Sequence, residues 1–184
     1  TQGYDIGCYE AFVFYGPTII WDGEAGDALW STPANWDSDT VPDPSDRILI
    51  PGGSFVWLNA DATVLSIENH GEATIPVGKT LTVATTGAEY SFAVNAPDGI
   101  TLGEGTLDIS GTDSAVNYGT IAPGVYHAVV PTGTFTISGA SGAGKIYTGD
   151  ASARMEIEIG GVDPSEFDRL VLADVILQGG GEIA

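Results

Sequence analysis

From Arg47 onward the chain alternates apolar and polar residues in short bursts. Arg47-Ile48-Leu49-Ile50 stops at Pro51-Gly52-Gly53, and Ser54-Phe55-Val56-Trp57-Leu58 stops at Asn59-Ala60-Asp61. Thr63-Val64-Leu65-Ser66-Ile67 gives way to Asn69-His70-Gly71, Ala73-Thr74-Ile75 to Pro76-Val77-Gly78, and Lys79-Thr80-Leu81-Thr82-Val83 runs on to Gly87. Each burst is rich in β-branched residues and bounded by turn formers, and several alternate with a period of two, the pattern of short strands with one face buried. The rhythm continues through residues 90–94, 99–102, 105–109, 115–118, 125–130, 134–137 and 144–147. Helix is nearly absent: only Pro164-Ser165-Glu166-Phe167-Asp168 has the make-up of a helical turn, with Pro near its start.

Two of the bursts echo one another. Gly78-Lys79-Thr80-Leu81-Thr82-Val83 and Gly105-Thr106-Leu107-Asp108-Ile109 share Thr-Leu-x-Val/Ile after a glycine. Such self-similarity predicts stacked rungs of roughly 20–25 residues each. Each strand would pair with its equivalents above and below, and Val, Ile and Leu would line up in inward columns. The expected fold is therefore all-β, a parallel β-solenoid.

A stack of strands must also end. Three of the four tryptophans, Trp21, Trp30 and Trp36, lie in a segment spaced by Gly, Asp, Asn and Pro, which carries large rings on a backbone that turns repeatedly. Residues 18–46 are accordingly expected to form a cap over the first rung, and residues 47–184 the solenoid. Asp22 and Asn35 are placed to lock turn backbone, and Gly23 and Gly26 can take positive φ.

Three phrases resemble known proteins. Trp21-Asp22-Gly23, then Trp30, Ala34-Asn35-Trp36, Val41-Pro42 and Asp46, is similar to the module that introduces β-solenoid regions in large secreted and autotransporter-like bacterial surface proteins. Asp5-Ile6-Gly7-Cys8-Tyr9-Glu10 looks like the closing segment of right-handed parallel β-helix domains, with Cys8 where that pattern more often has Ala. Met155-Glu156-Ile157-Glu158-Ile159-Gly160-Gly161 and the apolar phrases after it resemble repeats near the ends of such solenoids. The resemblance implies a right-handed parallel β-helix, an extracellular or cell-surface location, and residues 1–17 as the end of a preceding β-helix or a linker strand. The absence of an initiator Met, and a last strand-like phrase at 175–183, fit a piece of a longer polypeptide.

Composition narrows the partners. With 5 Lys plus Arg against 25 Asp plus Glu, the formal charge of −20 opposes binding to nucleic acid or an anionic membrane surface. At 43 % hydrophobic the chain can bury a core, and no apolar run approaches the roughly 20 residues of a membrane span. A single cysteine, Cys8, excludes an internal disulfide framework, and as a small apolar residue it carries no sign of activation.

Several residues are candidates for chemistry. Asp37, Asp39, Asp43 and Asp46 lie along one loop and could supply oxygen ligands to calcium, although the stretch lacks EF-hand spacing and a solvated loop with Asp caps also explains it. Trp57, Trp21, Trp30 and Trp36 could stack on sugars; for the last three, covering the solenoid end is the favoured role. Asp108 and Asp113 could act as acid and base in polysaccharide cleavage, but no catalytic residue stands out. His70 and His127 have no companion at ligand or triad spacing, and Ser138 to Lys145 lacks the Ser or Thr that a phosphate loop needs after its lysine. The expected function is a non-enzymatic structural or adhesive surface segment that self-associates or docks on neighbouring surface domains. Carbohydrate binding or cleavage is the alternative.

Overall fold

A computed structural model of the chain describes residues 17–84, 91–124, 133–139, 146–149, 153–156, 168–174, 176–179 and 182–183. The expectations for residues 1–16, Cys8 and the Asp5 to Glu10 phrase among them, lie outside the described residues. So do those for residues 125–130, His127, Lys145, Glu158 and residues 164–167. Eighteen strands are formed: β1 (Ile19–Ile20), β2 (Arg47–Ile50), β3 (Phe55–Trp57), β4 (Ala62–Val64), β5 (Ser66–Asn69), β6 (Glu72–Ile75), β7 (Thr80–Ala84), β8 (Phe92–Asn95), β9 (Ile100–Gly103), β10 (Thr106–Gly111), β11 (Ser114–Asn117), β12 (Thr120–Pro123), β13 (Thr134–Ser138), β14 (Ile146–Gly149), β15 (Arg154–Met155), β16 (Arg169–Ala173), β17 (Ile176–Gly179) and β18 (Glu182–Ile183).

The strands from β2 onward are dealt out to three sheets in rotation. The first sheet runs β1-β2-β5-β8-β11-β14-β17, the second β3-β6-β9-β12-β15-β18 and the third β4-β7-β10-β13-β16. Every paired strand is parallel to its neighbour, as at β5 beside β8, β6 beside β9 and β7 beside β10. The chain is thus all-β with parallel sheets, an arrangement compatible with a parallel solenoid. The echo seen in the sequence is a structural equivalence: Thr80 lies beside Thr106 and Leu81 beside Leu107.

Local chemistry explains the corners. After β2, Ser54 N donates to Pro51 O at 3.2 Å across a turn whose third residue, Gly53, has φ 80°; after β6, Lys79 N donates to Pro76 O at 3.0 Å with Gly78 at φ 72°. Both turns need a left-handed residue in third place, which glycine supplies without strain.

Residues 63–67, which read as one strand, are two. Asp46 O accepts from both Leu65 N (2.9 Å) and Ser66 N (3.3 Å), and the chain bends at buried Leu65 from the third sheet to the first. Thr120–Pro123 forms a strand that the pattern did not announce, because its run of four lacks a polar alternate and ends in proline. Among the described residues there is one short 3₁₀ turn, at Pro33–Asn35.

The core is a set of inward columns. Ile48, Ile67, Ala93 and Ala115 stack on the first sheet, and Leu81, Leu107 and Ile137 on the third. Burial of each Val, Leu or Ile contributes about 1.5–3 kcal/mol relative to exposure. The rungs are less uniform than expected. One circuit takes 22 residues from Asn95 to Asn117, 26 from Asn69 to Asn95, and 35 from Gly133 to Asp168. One added residue falls inside β10, where the register against β7 shifts between Asp108 and Gly111.

Candidate functional site

The tryptophan segment sits on the open edge of the first rung. Ile19 and Ile20 of β1 pair with Ile48 and Leu49, and Leu29 bridges in parallel to Trp57, so the edges of both β2 and β3 are covered. Trp21, Trp30 and Trp36 are buried at 3 %, 2 % and 1 % exposure and join one core with Ile48, Ile50, Val56 and Leu58. Trp36 is the pivot, edge-on to Trp21 at 5.0 Å and to Trp30 at 4.9 Å between ring centroids, the geometry that aromatic quadrupoles favour. Its indole N–H donates to Trp30 O at 2.9 Å. The Trp30 N–H is buried with no partner. These three rings lie against each other and the core and present no face to solvent, whereas Trp57 is half-buried.

Asn35 and Asp27 hold the cap backbone. Fully buried Asn35 accepts from Ala25 N at 3.0 Å through Oδ1 and donates through Nδ2 to Asp27 Oδ1 (2.6 Å) and Leu29 O (3.0 Å). Asp27 also accepts from Leu29 N and from the Thr32 hydroxyl. The Leu29 amide, then Thr32 and Asn35, draw its carboxyl below the usual 3.8 by bonding its charged form. Asn35 was singled out in the sequence as a turn lock; Asp27, the hub it bonds, was not. Asp22 is a lesser lock, accepting from Glu24 N at 3.2 Å.

The aspartate loop uses its carboxylates in the same way. Asp37 accepts from Ile20 N (2.9 Å), Asp43 from the amide and hydroxyl of Ser45, and Asp46 from Asp43 N (2.8 Å) and the Thr18 hydroxyl. The Ser45 hydroxyl, then its amide, hold the Asp43 carboxyl below its ordinary value. Asp39 is exposed, at φ 52°. Among the described residues no three His, Cys, Asp or Glu side chains are grouped so as to hold a metal ion.

One constellation was not foreseen. Asn69, Asn95 and Asn117 occupy the same inward position on β5, β8 and β11 and form a ladder along the stack. Asn69 Nδ2 donates to Asn95 Oδ1 at 3.0 Å, and Asn95 Nδ2 to Asn117 Oδ1 at 2.8 Å. Each amide also ties the next corner, through Ile100 O, Thr120 O and Gly119 O respectively. Thr101 Oγ1 adds a bond to Asn95 Oδ1 at 3.1 Å. The signal was in the chain, because Asn69-His70-Gly71 and Asn117-Tyr118-Gly119 repeat the same Asn-x-Gly phrase. A cavity of about 30 Å³ beside this ladder, lined by Asn69, Asn95, Thr101, Ala73 and Leu107, has room for a water and not for a substrate.

His70, read as a turn or surface residue, bridges two rungs. Its Nε2 lies 2.6 Å from Glu68 Oε1 on β5 and its Nδ1 2.8 Å from Asp98 Oδ1 on the turn after β8. Burial lowers its pKa, but the bonds to Glu68 and Asp98 and their charges outweigh that and raise it above 6.5. With a carboxylate on each ring nitrogen, neither nitrogen is open to a metal.

Asp108 and Asp113 are used separately. Asp108 Oδ1 accepts from Ser110 N (2.9 Å) and Ser138 Oγ (3.1 Å) on the third sheet. Asp113 Oδ2 accepts from Ser91 N (2.8 Å) at a corner. Comparison with known proteins found no matching family model, no matching curated protein and no matching solved structure.

Proposed function

We propose that this chain is a non-enzymatic segment of a secreted or cell-surface bacterial protein, a right-handed parallel β-helix whose rigid stack projects, adheres or assembles with copies of itself or with neighbouring surface domains. The observation that supports this reading is the packing at the first rung: three buried tryptophans lie against the core of a stack whose inward asparagines and loop carboxylates hold backbone. Such a layout serves a stiff spacer and brings no acid, base and nucleophile together among the described residues. Because a charge of −20 repels neighbouring copies, assembly is expected to need screening by salt or divalent cations.

The test is electron microscopy of the purified chain across ionic strength, with and without calcium, beside a glycan array. Ordered filaments without glycan binding support assembly. Release of new reducing ends from any polysaccharide overturns the non-enzymatic reading. Carbohydrate recognition is the second reading, favoured by Trp57, which unlike the cap rings keeps part of its surface open; binding lost in Trp57→Ala would support it.

A further inference from the structure

The outer face of the third sheet differs from the other two. Because Leu81, Val83, Leu107, Ile109, Phe135 and Ile137 point inward, the residues between them point out. In register across the strands these form two columns, Thr80, Thr106 and Thr136 in one and Thr63, Thr82, Asp108 and Ser138 in the other. All seven are half-exposed. In such a ladder neighbouring strands lie about 4.8 Å apart and alternate residues of one strand about 6.6 Å apart. β-Branching holds each threonine near one or two rotamers, so the array is stiff.

Two features point to a ligand. First, the hydroxyls of Thr63, Thr80, Thr82, Thr106 and Thr136 have no hydrogen-bond partner among the described residues. Second, in a chain of formal charge −20, the outward positions of β4, β7, β10 and β13 carry one charged group, Asp108, and the columns end at β16, where Val171 lies beside Thr136 and exposed Arg169 beside Thr134. That carboxylate sits where β10 bulges against β7, between Asp108 and Gly111. Its Oδ1 is used by Ser110 and Ser138 while Oδ2 has no partner among the described residues. Bulges commonly re-aim a side chain beside a binding site. The corresponding outward positions elsewhere are mixed, with Glu68, Val94 and Val116 on the first sheet and Phe55, Glu72 and Ile100 on the second.

We propose that this face docks an uncharged, hydroxyl-rich polysaccharide, its sugar hydroxyls exchanging hydrogen bonds with the threonine columns and a hydroxyl of one sugar donating to Asp108. Acidic glycans would be repelled by the surrounding charge. Ordered water would need an unbroken lattice, which Asp108 and the bulge interrupt; a sugar chain can set a hydroxyl on the carboxylate, where a charge-assisted bond is the stronger kind. The proposal rests on the surface-segment reading, and it names the face and ligand class through which such a segment would adhere.

The experiment is depletion of the native chain by cellulose, chitin and mannan, with polygalacturonate as the acidic counterpart. At least one neutral polymer is expected to bind. The triple variant Thr80→Val, Thr106→Val and Thr136→Val keeps the β-branched shape and is expected to bind about tenfold or more weakly at an unchanged melting temperature. Asp108→Asn should weaken binding less. Binding to none of the neutral polymers, equal binding by the triple variant, tighter binding of polygalacturonate, or inhibition of ice recrystallisation without sugar binding would each overturn the assignment. Filaments that bind no sugar would end this proposal and leave the structural rod standing.

Discussion

The cap and the middle of the stack bury polar backbone by opposite means. Residues 18–46 have two strand residues and one 3₁₀ turn, and are held by interlocked indoles with Asn35 and Asp27 wired to particular amides. In the middle, β5 to β12 repeat one solution at each level: an apolar column, an asparagine, a glycine corner. A cap fits one place and fails at one residue. A ladder spreads its load, because in a stack each level is stabilised mainly by its two neighbours.

That contrast is sharpest under truncation. Trp36→Ala, which removes the ring touching both others, should cost about 3–5 kcal/mol. Amide exchange in β1 to β3 should rise toward exposure while β8 to β12 stay protected; uniform loss of protection would show that cap and stack are one cooperative unit. Asn95→Ala comes next, at about 2–3 kcal/mol, because it takes one partner each from the Asn69 amide, the Asn117 carbonyl and Thr120 O together. Its loss should centre on β5 to β12. Asn117→Ala, at the ladder's end, should cost less, and a larger cost would sink the ladder account.

Within the cap, Trp36→Phe should be more damaging than Trp30→Phe by about 1 kcal/mol, since Trp36 gives up a bond to Trp30 O and Trp30 loses only an unpartnered N–H. Urea midpoints of the two variants decide this.

The smallest effect belongs to His70. Its folded pKa is raised, so its contribution is complete below the unfolded value of 6.5 and disappears as pH climbs through the folded pKa above it. With the ring 32 % exposed, the effect should stay under about 1 kcal/mol. The urea midpoint should fall slightly over that window in the native chain and not in His70→Gln. A native midpoint that rises there would contradict the bridge to Glu68 and Asp98.

Strand identity was legible wherever a β-branched run met a turn former, as at β2, β3, β6 and β7, because pattern and turn chemistry are both local. The split at Leu65 was not, since Asp46 O, nineteen positions from Leu65, bends the chain there. The cap tryptophans read as a cluster over the first rung and are buried against it, whereas the asparagine ladder, although echoed as Asn-x-Gly, read as turn punctuation. An inward amide has meaning only when its equivalents lie above and below it.

The sequence by itself determined that the chain is all-β, that its strands are short and repeated, and that three indoles gather ahead of the first of them, because periodicity and turn propensity act over a few residues. Only the tertiary structure decided which strands share a sheet, which residues stack in columns, and that one outer face is lined with unspent hydroxyls. Those depend on register between levels 17 to 35 residues apart, and loops of unequal length erase that register from the linear text.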